Sequence, residues 1–250
     1  MKNINNLIAD ASERRNRKSE KEKLVLTFLR QHIWSTQSIL QDVMHLQSRQ
    51  AAHKTLSHMQ NDGLVRSHQY SALGGMLTLW GITAHGQMMS FNPKNEQVLT
   101  GYFNPARFSE QTIRHELDLQ KLRVIAQSKG WFGWTDGNRL GQLPTEAKRP
   151  DAIAQTEKGT IVAVECERTF KTIKRYEQIL ISYLKLLKAG QIHKVVWVLP
   201  TQDMADRMHN LITSIKSVKI ANQTVPIDPA KHHINIHFCS YANWPNYHER

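Results

Sequence analysis

Cysteine, acidic residues and long apolar runs are what this sequence has least of. Its two cysteines, Cys166 and Cys239, cannot build a disulfide framework, so a reducing compartment is expected. No CxxC pair or Cys/His spacing marks a zinc site. No apolar run approaches the length of about 20 residues that spans a bilayer. The N-terminus lacks an apolar signal core, so the expected setting is cytoplasmic, with no membrane span. Acids are outnumbered, 21 Asp and Glu against 33 Lys and Arg, for a formal net charge of +12. Such a balance favours a polyanionic partner, most often nucleic acid. The 250 residues are 40% hydrophobic, enough for one large domain or two small ones with ordinary cores.

Residues 1–19 read as a basic arm, whose Arg14, Arg15, Arg17 and Lys18 can meet phosphates. Residues 20–92 read as a first module. "SEKEKLVLTFLRQHIW" is a helix with Ser19 as cap and apolar residues at Leu24, Val25, Phe28, Leu29 and Ile33. "STQSILQDVMHL" is a second, short helix. "SRQAAHKTLSHMQNDGLV" is a third, from the cap Ser48 to the stop Gly63. Its inward stripe is Ala52, Leu56 and Met59; its outward face carries Arg49, Gln50, His53, Lys54 and Ser57. Two extended stretches around Gly74-Gly75 follow, with Arg66 on the first, and then the helix "TAHGQMM". Three short helices and a hairpin are the order of a winged helix-turn-helix. The third helix would enter the major groove of double-stranded DNA, with Tyr70–Thr78 as the wing. The other use of such a module is protein contact or dimerisation.

Residues 93–107, with two prolines, a glycine and no sustained period, read as a linker. Residues 108–250 read as a second domain. "SEQTIRHELDLQKLRVIAQSKG" is a helix capped by Ser109, with Ile113, Leu117, Leu119, Leu122, Val124 and Ile125 inward. Strands are expected at Phe132–Asp136, Asp151–Gln155, Thr160–Arg168 and Lys194–Leu199, the last an apolar run suited to burial on both faces. An amphipathic helix precedes Lys194, with Ile173, Ile179, Leu180, Tyr183, Leu184 and Leu187 inward. A further helix and a last strand, "HHINIHFCSY", complete the order α-β-β-β-α-β-α-β, an α/β domain with a mixed sheet.

"RPDAIAQTEKGTIVAVECERT" places Asp151, Glu165 and Glu167 on two of these strands. The turn decides how they pair. A three-residue loop Glu157-Lys158-Gly159 puts glycine at the position that needs left-handed backbone. Gln155 then faces Ile161, Asp151 faces Glu165, and alternation brings Glu167 to the same sheet face. Opposed carboxylates destabilise a sheet unless a cation lies between them. The cation can be a divalent ion, Mg²⁺ or Mn²⁺, held by hard oxygens where the covered surface opens. It can also be Arg149, Arg168 or a nearby lysine.

"RPD…VECE" after "RHE" on a helix resembles the PD-(D/E)xK nuclease superfamily, with its restriction-endonuclease-like α-β-β-β-α-β core. The resemblance implies Asp151 and Glu165 as metal ligands, and Glu116 in the place of that family's optional first-helix acid. Glu167 stands where the family usually has lysine, which leaves Lys171 and Lys174 to reach back. Over nearly the full length, and most specifically at "ECERTFKTIKRYE", the chain resembles the MobC class of plasmid mobilisation relaxases. That likeness implies a metal-dependent nicking endonuclease acting on one strand at a plasmid transfer origin, with an accessory mobilisation or coupling protein as a possible partner. Lys171 or Lys174 would then stabilise the phosphorane, with Glu167 as ligand or base. Tyr176 is the candidate for a covalent nucleophile, and hydrolysis by water stays open beside it. The His232-His233 pair reads as too isolated for a metal site. The alternatives are a non-catalytic winged-helix replication or regulatory protein and a double-strand restriction-type endonuclease.

Overall fold

The structure, a computed structural model, describes residues 10–72, 74–92, 101–107, 110–141, 148–220 and 223–246. Ser109, the expected cap, and Leu73 of the expected wing lie outside them. The fold is mixed α/β, and the chain divides into two compact units, Met1–Gln120 and Lys121–Arg250. No helix among the described residues is long and apolar enough to cross a membrane.

The first unit opens with α1 (Ala11–His32), capped by Asp10, whose carboxylate accepts from the Ser12 amide at 3.0 Å. The helix therefore begins inside the stretch expected to be an arm, and Ser19 is interior to it. Arg, Lys and Glu are good helix formers, and their signs match at helical spacing: Arg17 lies 2.6 Å from Glu20 and Lys18 lies 3.5 Å from Glu22. Helices α2 (Gln37–Val43) and α3 (Arg49–Asn61) follow. The expected stripe of α3, Ala52, Leu56 and Met59, is wholly buried. Strands β2 (Val65–Ala72) and β3 (Gly75–Ile82) form an antiparallel hairpin. A three-residue strand too short to show a period, β1 (Trp34–Thr36), flanks β3 and gives the order β1-β3-β2. Helix α4 (Ala84–Met89) comes next.

Part of the expected linker is core. Phe103 is fully buried, and its amide donates to the Ile82 carbonyl at 2.9 Å. Its ring lies so close to Gly81 that a Cβ there would stand 2.0 Å from it, which only glycine permits. The side chain of Gln120 donates to the Trp34 carbonyl at 2.9 Å and accepts from Ser35 Oγ at 2.6 Å. These contacts tie residues 101–120 to the first unit, so the division falls within α5 (Glu110–Ser128).

The second unit is built on a five-stranded sheet of order β10-β7-β6-β5-β4. Its strands are β4 (Phe132–Asp136), β5 (Ala152–Gln155), β6 (Ile161–Cys166), β7 (Lys194–Leu199) and β10 (Ile236–Ser240). β4, β5 and β6 are antiparallel neighbours, whereas β6, β7 and β10 run parallel. The sheet is therefore mixed, as expected. α6 (Ile173–Lys188) crosses from β6 to β7, and α7 (Gln202–Ser214) follows β7. Tyr176, Ile179, Leu180, Tyr183 and Leu186 of α6 are buried with Ala163, Val195 and Trp197 of the sheet and Met208 and Ile212 of α7. Ile173, expected inward, is 55% exposed, because as the first residue of α6 it reaches past the covered surface. Ile125 of α5 is likewise exposed. A small antiparallel pair, β8 (Ser217–Ile220) and β9 (Gln223–Pro226), and a short helix α8 (Pro229–His232) intervene before β10. They are too short and too polar to show a period in the sequence.

Candidate active site

The β5–β6 hairpin has the register that its loop predicts. Thr156 and Thr160 close the loop, with the Thr156 amide donating to the Thr160 carbonyl at 3.0 Å. Gly159 sits at φ 80°, the left-handed region. Gln155 pairs with Ile161, Ile153 with Ala163 and Ala152 with Val164. Continuing that ladder by one residue sets Asp151 against Glu165. Asp151 is held there by its own carboxylate, which accepts from the Cys166 amide at 2.9 Å.

Glu165 is the most deeply placed charge of the group, 2% exposed beneath α6. Lys148 Nζ donates to its Oε2 and the Tyr183 hydroxyl donates to its Oε1. The Tyr183 ring in turn meets Trp197 edge-on at 5.4 Å, and Trp197 is the β7 neighbour of Glu165. Burial pushes the Glu165 carboxyl up to about 7; Lys148 opposes that rise and the charge of Asp151 adds to it. The same burial, with Glu165 alongside, holds the Tyr183 hydroxyl well above its ordinary range. The two acids are therefore close enough to feel one another, and the cation on Glu165 is a lysine three residues upstream of Asp151.

Glu167, 6% exposed, forms a second ion pair with Lys171. The Lys171 amide donates to the Tyr176 hydroxyl at 3.0 Å. Tyr176 is fully buried, and burial raises its hydroxyl to about 12. Lys174 is exposed on the first turn of α6 and makes no hydrogen bond or ion pair with the acids. Of the arginines weighed as partners, Arg149 donates to the Leu140 carbonyl at 3.1 Å, and Arg168 lies over the Tyr241 ring at 6.0 Å. Glu116 belongs to the first unit, half-buried on α5.

The structure thus brings together Asp151 and Glu165, and separately Glu167 and Lys171, and adds Lys148 and Tyr183 to them. Nothing in the spacing of "AKRPD" singles out Lys148, and Tyr183 reads only as a core residue. The acids are also more covered than a site at an open rim. Asp151 and Glu165 supply carboxylate oxygens, the donor type that a hard divalent ion takes. Among the described residues no group of three or more His, Cys, Asp or Glu side chains is gathered as a ligand set, but Mg²⁺ commonly takes one or two carboxylates and completes its shell with water and substrate phosphate. The donors are oxygens of the right kind, with Lys148 holding a cation's place on Glu165.

On the first unit, Arg49, Gln50, His53 and Lys54 are exposed on the outer face of α3, with Ser57 half-buried. His53 Nδ1 and Ser57 Oγ are 3.2 Å apart. Arg66 is committed elsewhere: its guanidinium donates to the Phe103 carbonyl and lies 5.5 Å from that ring.

Comparison with protein-family models, curated proteins and solved structures returned no match.

Proposed function

We propose that the protein is a metal-dependent DNA-nicking endonuclease of the relaxase kind, acting at a plasmid transfer origin. The observation that carries this is the pair Asp151 and Glu165, opposed on one sheet face, with Glu165 buried and raised to about 7. Opposed, desolvated carboxylates cost stability, and a cost retained at one place in a fold marks a functional candidate. Asp151 and Glu165 hold Mg²⁺ or Mn²⁺, which when bound neutralises charge on the scissile phosphate. Lys148, released from Glu165, supplies the ammonium that the motif lacks at Glu167, and Lys171 holds Glu167 in place. The two tyrosines of α6 are both buried, which supports water as nucleophile over a covalent link through Tyr176. The first unit acts as a winged helix: the exposed basic face of α3 reads double-stranded DNA and the β2–β3 hairpin is the wing. Arg66, tied to Phe103, is left out of that surface.

One observation favours the second reading, a non-catalytic replication or regulatory DNA-binding protein. Lys148 and Tyr183 already satisfy both oxygens of Glu165 without a metal. Supercoiled plasmid carrying the origin, incubated with Mg²⁺, Mn²⁺ or EDTA, decides between them. Open circles lost in Asp151→Ala and Glu165→Ala support the nickase. Linear product points to a double-strand nuclease, and intact supercoils with retained DNA binding overturn catalysis.

A further inference from the structure

The two faces of α6 differ in chemistry. The inner face, Tyr176, Ile179, Leu180, Tyr183 and Leu186, is buried in the core of the second unit. The helical period puts residues 174, 178, 181, 185 and 188 in one row on the opposite side. That row reads Lys174, Gln178, Ile181, Lys185 and Lys188, all exposed except the half-buried Ile181. It is about 21 Å long. Arg175, also exposed, widens it at the first turn, with its guanidinium 3.2 Å from the Gln178 side chain.

From Arg168 to Lys188 the chain has six basic residues and a single acid, Glu177. Two of the six are engaged near the end of β6: Lys171 with Glu167, and Arg168 over the Tyr241 ring. The other four stand on α6, and helix stability accounts for only half of them. Lys185 and Lys188 lie in the last turn, where a cation suits the helix dipole. Lys174 and Arg175 lie in the first turn, where a cation opposes it and no acid stands to offset them. Neither packing nor helix stability explains these two, whereas a bound polyanion does.

The chemistry of the row narrows the polyanion. A helix that lies on a membrane sinks its apolar face into the lipid, and the apolar face of α6 is already buried against the sheet. Single strands are held by aromatic rings that stack on bases, and the row has none. What it offers is a line of cations, and duplex DNA carries one negative charge per roughly 1.7 Å of its axis. We infer that the outer face of α6 is a second DNA-binding surface, which holds the phosphate backbone of double-stranded DNA without reading its sequence. It lies on the far side of the helix from Tyr183, whose hydroxyl reaches Glu165, so it holds DNA and does not cut it. The choice of DNA over another polyanion rests on the winged-helix reading of the first unit; cleavage is not required.

The test follows the full chain on a fluorescein-labelled duplex of random sequence, by anisotropy over a salt series. Lys174→Gln, Arg175→Gln, Lys185→Gln and Lys188→Gln combined should weaken binding at least about tenfold at about 150 mM salt and lower the slope of log K against log salt by about 2 to 4. All four positions are exposed, and circular dichroism checks that the variant is folded. A charge-matched control, with the exposed Lys129, Lys158, Lys219 and Lys231 each changed to Gln, should alter the slope by less than about 1. A photoactivatable azide on Gln178→Cys should crosslink to the duplex; the native Cys166 and Cys239 are buried and escape the label. The proposal is overturned by a wild type that binds no duplex, by equal losses in the two quadruple variants, by no crosslink at Gln178→Cys, or by a crosslink that polyglutamate suppresses as well as unlabelled duplex does. An unchanged α6 variant beside a weakened Lys54→Ala removes this surface and leaves the winged helix standing. A weakened α6 variant beside an unchanged Lys54→Ala supports this surface and removes the winged-helix reading.

Discussion

The ammonium of Lys148 is paired with the carboxylate of Glu165, a residue 17 positions further along the chain and almost wholly buried. Tyr183 donates to the other oxygen of the same carboxylate. The arrangement makes Glu165 both satisfied and costly: its hydrogen bonds are made, yet its charge has lost water. A buried ion pair is weak evidence for stability, since desolvation can exceed the attraction. Breaking it by removing one partner is another matter, because the remaining charge is left uncompensated.

The pH dependence follows from that burial. The Glu165 carboxyl is raised from 4.5 to about 7, so the folded protein holds a proton that the unfolded chain has lost. Where the folded state binds more protons, stability falls as pH rises. The loss runs from about pH 4.5 to about pH 7 and then levels, worth roughly 3 kcal/mol at most. Glu165→Gln should flatten this part of the profile. Urea denaturation of both proteins between pH 5 and 8 measures the difference; parallel curves would contradict the raised carboxyl.

Lys148→Met should lower nicking by about 100-fold or more while leaving DNA binding intact, if this ammonium serves the scissile phosphate. Loss of that size in kcat with a near-constant KM separates a chemical role from weaker substrate binding. A variant with wild-type nicking would confine Lys148 to structure.

Tyr176→Phe should still nick plasmid DNA. The hydroxyl is buried and accepts from the Lys171 amide, so its loss should cost about 1 kcal/mol of stability. Trapping of a covalent protein–DNA adduct in wild type that disappears in this variant would reverse the assignment.

Phe103→Ala should destabilise the first unit by about 3–5 kcal/mol, far more than a linker substitution would. Gly81→Ala should be comparably harmful, since the new Cβ meets the Phe103 ring. Thermal unfolding monitored by circular dichroism reads both.

Lys54→Ala and Arg49→Ala should weaken DNA binding with a smaller salt dependence. Each lost phosphate contact lowers the slope of log K against log salt by about 0.9. Fluorescence anisotropy over a salt series checks this, and Arg66→Ala, whose guanidinium faces Phe103, should leave the slope unchanged.

What could be read in the sequence is what local rules control. Gly159 sets a three-residue loop, and the loop sets the register that opposes Asp151 to Glu165. The helical stripe of α3 and most of that of α6 follow from a period of 3.6, and β7 from an unbroken apolar run. The order of elements along the chain from α5 to β7 was legible for the same reason. Only the tertiary structure decided which cation meets Glu165. Lys148 reaches it through the fold of the chain around β5, and Tyr183 reaches it from α6; neither distance is encoded in spacing. Phe103 likewise reads as part of a linker until Gly81 leaves room for its ring. The place of β10 at the end of the sheet, beside β7, is invisible in sequence because strand order in a sheet is a property of long-range packing. Turn chemistry and periodicity act over a few residues, whereas burial and ion pairing depend on which distant segments the core brings together.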